Sequence, residues 1–189
     1  MNRFASRRYT ARFRFVFVLG LAGITAGCFH PLYGSNDTSG QSDSGIIDKM
    51  RSVEVSKVVA LSPTRLPRVA IEVRNNMIFE LTGGNAANTS DYKLDISISS
   101  SNLAVVVDPS TGLSNIQTYG IDASYRLIEI GTGKPVVTAT AFARVTYDIP
   151  GQTQRFAGER ALRDAENRAA RTLAENIRTR LASYFAAGA

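Results

Sequence analysis

From Tyr92 the chain alternates. Tyr92, Leu94, Ile96 and Ile98 fall on one side of "YKLDISIS", and Lys93, Asp95, Ser97 and Ser99 fall on the other. A period of two sends successive side chains to opposite faces of an extended chain, so the pattern predicts a strand with one buried face. It runs on through "NLAVVV" to Val107, where "DPSTG" (108–112) gathers turn formers. A second alternation sets Tyr119, Ile121, Ala123, Tyr125 and Leu127 on one face and ends at the hairpin signal "GTGKP" (131–135). A third sets Val137, Ala139, Ala141, Ala143, Val145 and Tyr147 against Thr and Arg. Short turns between such strands predict an antiparallel meander.

Elsewhere the period changes. Val69, Val73, Met77 and Leu81 recur every four residues, flanked by Arg68, Glu72, Asn76 and Glu80, which predicts an amphipathic helix. Pro67 suits its first turn and Gly83-Gly84 its end. Before it, "VEVSKVVAL" (53–61) is a β-branched run that reads as a strand, broken by "SPTRLP". After the meander, 156–185 is rich in Ala, Arg, Glu and Leu and lacks proline; Leu162, Ala165, Ala169, Leu173, Ile177, Leu181 and Tyr184 form its apolar stripe. The order is β-α-β-β-β-α. Elements with one apolar face each pack most economically as an α+β two-layer sandwich, two helices on one face of a four-stranded mixed sheet. The first strand reaches the meander through a helical crossover, so it is expected to run parallel to the strand that follows. The other sheet face is polar, suited to water or to a partner.

The start of the chain has a different character. "MNRFASRRYTARFR" carries five arginines and no acid, the apolar run "FVFVLGLAGITA" follows, and Gly27 precedes Cys28. A basic stretch, an apolar segment of about a dozen residues and a small-residue junction describe an export signal over 1–27. The apolar segment is shorter than the run of about 20 residues that a membrane-spanning helix needs, and no later segment supplies one. The charge reading changes accordingly. The whole chain has 22 Lys+Arg, 16 Asp+Glu and a net charge of +6; removing the five leader arginines leaves 17 against 16, or +1. The basic balance belongs to the leader and gives little support to nucleic-acid binding.

Cys28 is the only cysteine and His30 the only histidine of the 189 residues. An intramolecular disulfide is excluded, and a metal or nucleophile site would lack the partners it needs. An inert buried thiol is the bland reading. The position at the end of an export signal favours a third: a lipobox, "TAGC", in which the leader is cut before Cys28 and the thiol is acylated. Ala26 and Gly27 fit such a site, while Thr25 replaces the usual aliphatic residue. Each buried methylene contributes about 0.8 kcal/mol to membrane attachment, so several chains are needed for a stable anchor. Next, 35–45 reads "SNDTSGQSDSG", too poor in apolar residues to order itself. As a flexible tether of about 11 residues it would span roughly 17–20 Å. The expected organisation is a signal over 1–27, a lipidated N-terminus and tether over 28–45, and one α+β domain over 46–189.

Catalytic signatures are missing. There is no P-loop, dinucleotide fingerprint, zinc spacing or nucleophile elbow, so neither an enzyme nor a metal or other cofactor is expected. Asn88-Thr89-Ser90 matches a glycosylation sequon, which a bacterial lipobox discounts. The mixed-sign face of the last helix reads as solvated surface.

Three segments carry a resemblance. "GCFHPLYG", "VRNNMIFELTGG" and "ERALRDAENRAARTLAENIRTRLASYF" resemble, in order, the mature N-terminus, first helix and last helix of the alphaproteobacterial LPS-assembly lipoproteins, the LptE-type family. The resemblance implies an outer-membrane lipoprotein on the periplasmic side. It would plug the LptD-type β-barrel translocon, help it assemble and help deliver lipopolysaccharide to the outer leaflet. It implies binding of lipopolysaccharide by basic residues near one end of the domain. The loop at 108–112 has none, which leaves Arg155 and Arg160, where the last strand meets the last helix, as candidates. Two other functions remain open on the sequence: an auxiliary lipoprotein of an ABC-type lipid or solute transport system, and a lipid-anchored hydrolase, for which a single histidine is poor support.

Overall fold

The computed structural model describes residues 43–62, 65–84, 89–107, 114–149 and 155–187. In chain order the elements are α1 (Asp43–Arg51), β1 (Val53–Val55), β2 (Val59–Ala60), α2 (Leu66–Thr82), β3 (Tyr92–Val107), β4 (Ser114–Glu129), β5 (Pro135–Asp148) and α3 (Arg155–Ala186). The described residues form an α+β sandwich, with a mixed sheet in the order β1-β3-β4-β5, β2 beside β3, and the helices on one face. β1 runs parallel to β3 across the α2 crossover, and β3, β4 and β5 form the antiparallel meander.

The apolar faces read from the sequence are the buried ones. Leu94, Ile96 and Ile98 of β3, Tyr119 to Leu127 at alternate positions of β4, and Ala143, Val145 and Tyr147 of β5 all point into the core. Val69, Val73, Met77 and Leu81 of α2 meet them. α2 ends as its sequence dictates: Gly83 takes a left-handed φ of 68°, and its N–H donates to the Phe79 carbonyl at 2.8 Å.

Three features differ from the sequence reading. α1 begins at Asp43, inside the segment read as tether, and buries Met50. Its end is fixed by Ser52, whose N–H donates to the Asp48 carbonyl and whose Oγ donates to the Lys49 carbonyl. The strand expected over 53–61 is two short ones. Val55 pairs with Leu94 and Val59 with Ser97, so four steps on one strand match three on the other. The extra residue behaves as a bulge and resets the alternation. Val58 is therefore buried and Val59 is 52% exposed. The chain stays tied to β3 on both sides, through Ser56 N–H to the Leu94 carbonyl and Leu61 N–H to the Ile98 carbonyl. Lastly, Phe185 rather than Tyr184 closes the stripe of α3, its ring edge-on to Tyr92 at 5.2 Å.

The 32 residues of α3 give a rod of about 48 Å at 1.5 Å per residue, close to the length of the 16-residue strands. Its buried side is mostly small: Ala165, Ala169, Ala170, Ala174 and Ala182 alternate with Leu173, Ile177 and Leu181. Small residues let its backbone approach α2 and the sheet closely. α2 and α3 run in the same direction, since Arg65 meets Glu159, Arg68 meets Glu166, and Glu80 meets Arg178 further along.

Candidate functional site

Because α2 and α3 are parallel and staggered, the N-terminal end of α2 lies beside the second to fourth turns of α3. Helix N-termini carry partial positive charge and unsatisfied N–H groups. The start of α2 carries Arg65 and Arg68 around Pro67, and the facing turns of α3 carry Arg160 and Arg163. Together with Phe156, Glu159 and Glu166 they line a cleft of about 460 Å³.

The four arginines are not equivalent. Arg65 grips Glu159 with two bonds of 2.9 and 3.2 Å. The hydrogen bond and then the charge of Arg65 hold the Glu159 carboxyl below the usual carboxylate range. This pair is open to water and adds little to stability. Arg68 reaches inward to Glu166, whose side chain is only 5% exposed, and also donates to Asn167 Oδ1 at 3.1 Å. The buried carboxylate acts on Tyr119 and Tyr147, whose hydroxyls are pushed up in pKa, chiefly by their own burial. Tyr147 donates to Gln117 Oε1 at 2.7 Å, so polar groups continue from the cleft floor into the core. Arg160 and Arg163 are exposed, and among the described residues neither has an ion-pair partner. Two paired cations hold the walls, and two unpaired ones remain for an anion. Phe156, 83% exposed, adds an apolar surface beside them.

Of the residues picked from the sequence, Arg160 lines this cleft. Arg155 opens α3, but its side chain lies outside the described residues, as do Cys28 and the turn at 108–112. The sequence reading left Arg163 on a face read as solvated surface, placed Arg68 only on the polar flank of its helix, and missed Arg65. The pair Arg160 and Arg163 sits at i and i+3, a visible spacing. Nothing in the sequence ties it to Arg65, which lies more than 90 positions earlier.

The second surface of interest is the uncovered sheet face. It carries Ser97, Ser99, Ser101, Thr118, Ser124, Thr138, Thr140 and Thr146, an Arg144–Asp122 ion pair at 2.7 Å, and two exposed apolar side chains, Leu103 and Phe142. Arg144 lies flat across Gly120, where an added Cβ would stand 2.8 Å from Ser101 Oγ and 2.9 Å from Arg144 Cδ. The absence of a side chain at 120 lets the guanidinium reach the Ile121 carbonyl at 3.1 Å. Among the described residues no group of three His, Cys, Asp or Glu could hold a metal ion, and no helix is long and apolar enough to cross a membrane.

Comparisons with known proteins place this architecture. The structure of a candidate lipoprotein from Caulobacter crescentus CB15 superposes with a TM-score of 0.59 at 22% identity, covering 77% of this chain and 98% of that one. The rare lipoprotein B from Shewanella oneidensis gives 0.49 at 13% identity, covering 70% and 96%. The first supports the fold; the second is too distant to carry an argument. No curated protein matches the sequence. The profile of the lipopolysaccharide-assembly family, LptE, matches residues 50–181, from the end of α1 to the last turns of α3. The chain belongs to the LptE lipopolysaccharide-assembly family.

Proposed function

We propose that the protein is a non-enzymatic outer-membrane lipoprotein that plugs an LptD-type β-barrel translocon, supports its assembly and assists lipopolysaccharide delivery to the outer leaflet. The sheet carries this reading. Among the described residues helices cover one face only. The other face, in a chain of this family and spread over strands of 14 to 16 residues, is mostly polar, with Leu103 and Phe142 exposed among its Ser and Thr side chains. Such a face suits the polar, water-lined lumen of a large barrel. Affinity purification of the tagged protein from detergent-solubilised outer membranes is expected to retain a large β-barrel protein. Its absence under conditions that keep membrane complexes intact overturns the plug role.

The anchor is Cys28, acylated after cleavage of the leader. Cys28→Ser is expected to abolish labelling by radioactive palmitate and to leave an uncleaved precursor. Normal labelling of that variant would sink the anchor.

Lipopolysaccharide phosphates are proposed to enter the arginine cleft and pair with Arg160 and Arg163. The double variant Arg160→Ala, Arg163→Ala is expected to weaken lipopolysaccharide binding about tenfold, as loss of charge-assisted hydrogen bonds would. Both side chains are exposed, so the urea midpoint should hardly move. Unchanged affinity removes the cleft from the binding path.

A further inference from the structure

The free edge of β5 is closed along one half and open along the other. Among the described residues β5 pairs with β4 alone, and its far side runs along α3. In an antiparallel ladder each residue directs both backbone polar groups to the same side, and neighbours alternate. The Phe142 carbonyl accepts from Asn176 Nδ2 at 3.1 Å and the Thr146 carbonyl from an Arg168 guanidinium N–H at 3.4 Å. Even-numbered residues of β5 therefore face the edge. Thr138 and Thr140 share that parity, and among the described residues no α3 side chain caps their carbonyls.

Beside them helix and strand part, leaving a groove of about 730 Å³ lined by Val136, Thr138, Thr179, Arg180, Ser183 and Tyr184 among others. Among the described residues the lining holds one cation, Arg180, and no carboxylate. Arg180 is exposed and has no ion-pair partner among the described residues. It is also the charged group that acts on the Tyr125 hydroxyl, which is buried without a hydrogen-bond partner. Sheet edges are usually guarded by lysines, prolines, bulges or cover. Pro135 and a bulge at Val136 guard the start of β5, and Asn176 and Arg168 cap its later part, which leaves Val137 to Thr140 with no lysine, proline or bulge.

We propose that this groove receives an extended, carboxylate-bearing segment of a partner protein, which adds to β5 as a further strand and sets its carboxylate against Arg180. Edge N–H and C=O groups repeat every second residue, about 6.8 Å apart, and an extended chain matches that spacing. The threonines on the outer face and the α3 side chains would then select alternate side chains of the segment. This inference stands apart from the translocon reading, because it uses only the edge, the groove and its charge.

The test uses the full-length lipoprotein in detergent micelles with two blocked pentapeptides, Thr-Val-Glu-Val-Thr and Thr-Val-Lys-Val-Thr. The glutamate peptide is expected to slow hydrogen exchange of the Thr138 and Thr140 amides by about tenfold or more, as strand pairing does. Arg180→Glu should reverse the preference, favouring the lysine peptide by a similar factor. Protection of neither amide, or equal binding of both peptides before and after the charge reversal, overturns the proposal. So does protection that rises with protein concentration in the absence of peptide, which would make a second copy the occupant.

Discussion

Arg68→Ala is expected to destabilise the domain by about 3 kcal/mol, the lower end of the range for removing one partner of a buried ion pair, because Arg68 itself is 32% exposed while Glu166 is 5% exposed. The cost lies less in the lost attraction than in what remains. Glu166 would stay among Tyr119, Tyr147 and the apolar floor with its side chain 5% exposed and its guanidinium gone. Arg68 also ties α2 to Asn167, one residue further along α3, and lies 3.8 Å from Glu72 of its own helix. Urea unfolding measures the loss as a lower midpoint at unchanged slope. The companion variant Arg68→Met, Glu166→Leu should recover most of it, since replacing both members of a buried pair by apolar side chains is often neutral. A double variant as unstable as Arg68→Ala would mean that the carboxylate is not the source of the cost.

Leu173→Ala is expected to cost about 3.5–5 kcal/mol, within the range measured for buried leucine truncations. The range depends on how far the surroundings collapse into the space. Leu173 is fully buried, and its helix offers Ala169, Ala170 and Ala174 as neighbours. Alanines have no rotamers with which to refill a void, so the upper half of the range applies. Denaturant unfolding of the single variant checks the figure. A loss below about 1.5 kcal/mol would show that α3 shifts toward the sheet to close the gap.

The contrast between these sites explains what could be read from the sequence. β3, β4 and β5 were legible because each buries one face along nearly its whole length, so Leu94 to Ile98 and Tyr119 to Leu127 alternate without interruption. α2 was legible for the same reason, with Pro67 and Gly83 marking its ends. α1 was not, because a nine-residue helix with Ser and Gly in its first turn shows too few apolar repeats to stand out from a tether. The bulge after Val55 was hidden because Val53, Val55, Val58 and Val59 all look alike in a propensity argument, and only pairing with β3 shows which side each takes. The arginine cleft was half visible. Arg160 was accessible from its place near the start of the last helix, but the cleft exists only because two parallel helices bring the start of α2 against the second to fourth turns of α3. Residue spacing within one segment carries no trace of that meeting.

The pairing of β1 with β3 sets an order of events for the growing chain. Val53 meets Tyr92, 39 positions later, and α3 supplies the last large side chains of the core. A chain made from its N-terminus presents β1 well before any strand can accept it, and completes the meander before the helix that covers it. Until Leu173, Ile177 and Leu181 have been added, the apolar face of three long strands has only α2 against it. The helix that covers the meander is thus the last element made, and a chain held unfinished would show a chaperone the same Tyr119-to-Leu127 row that the finished domain hides.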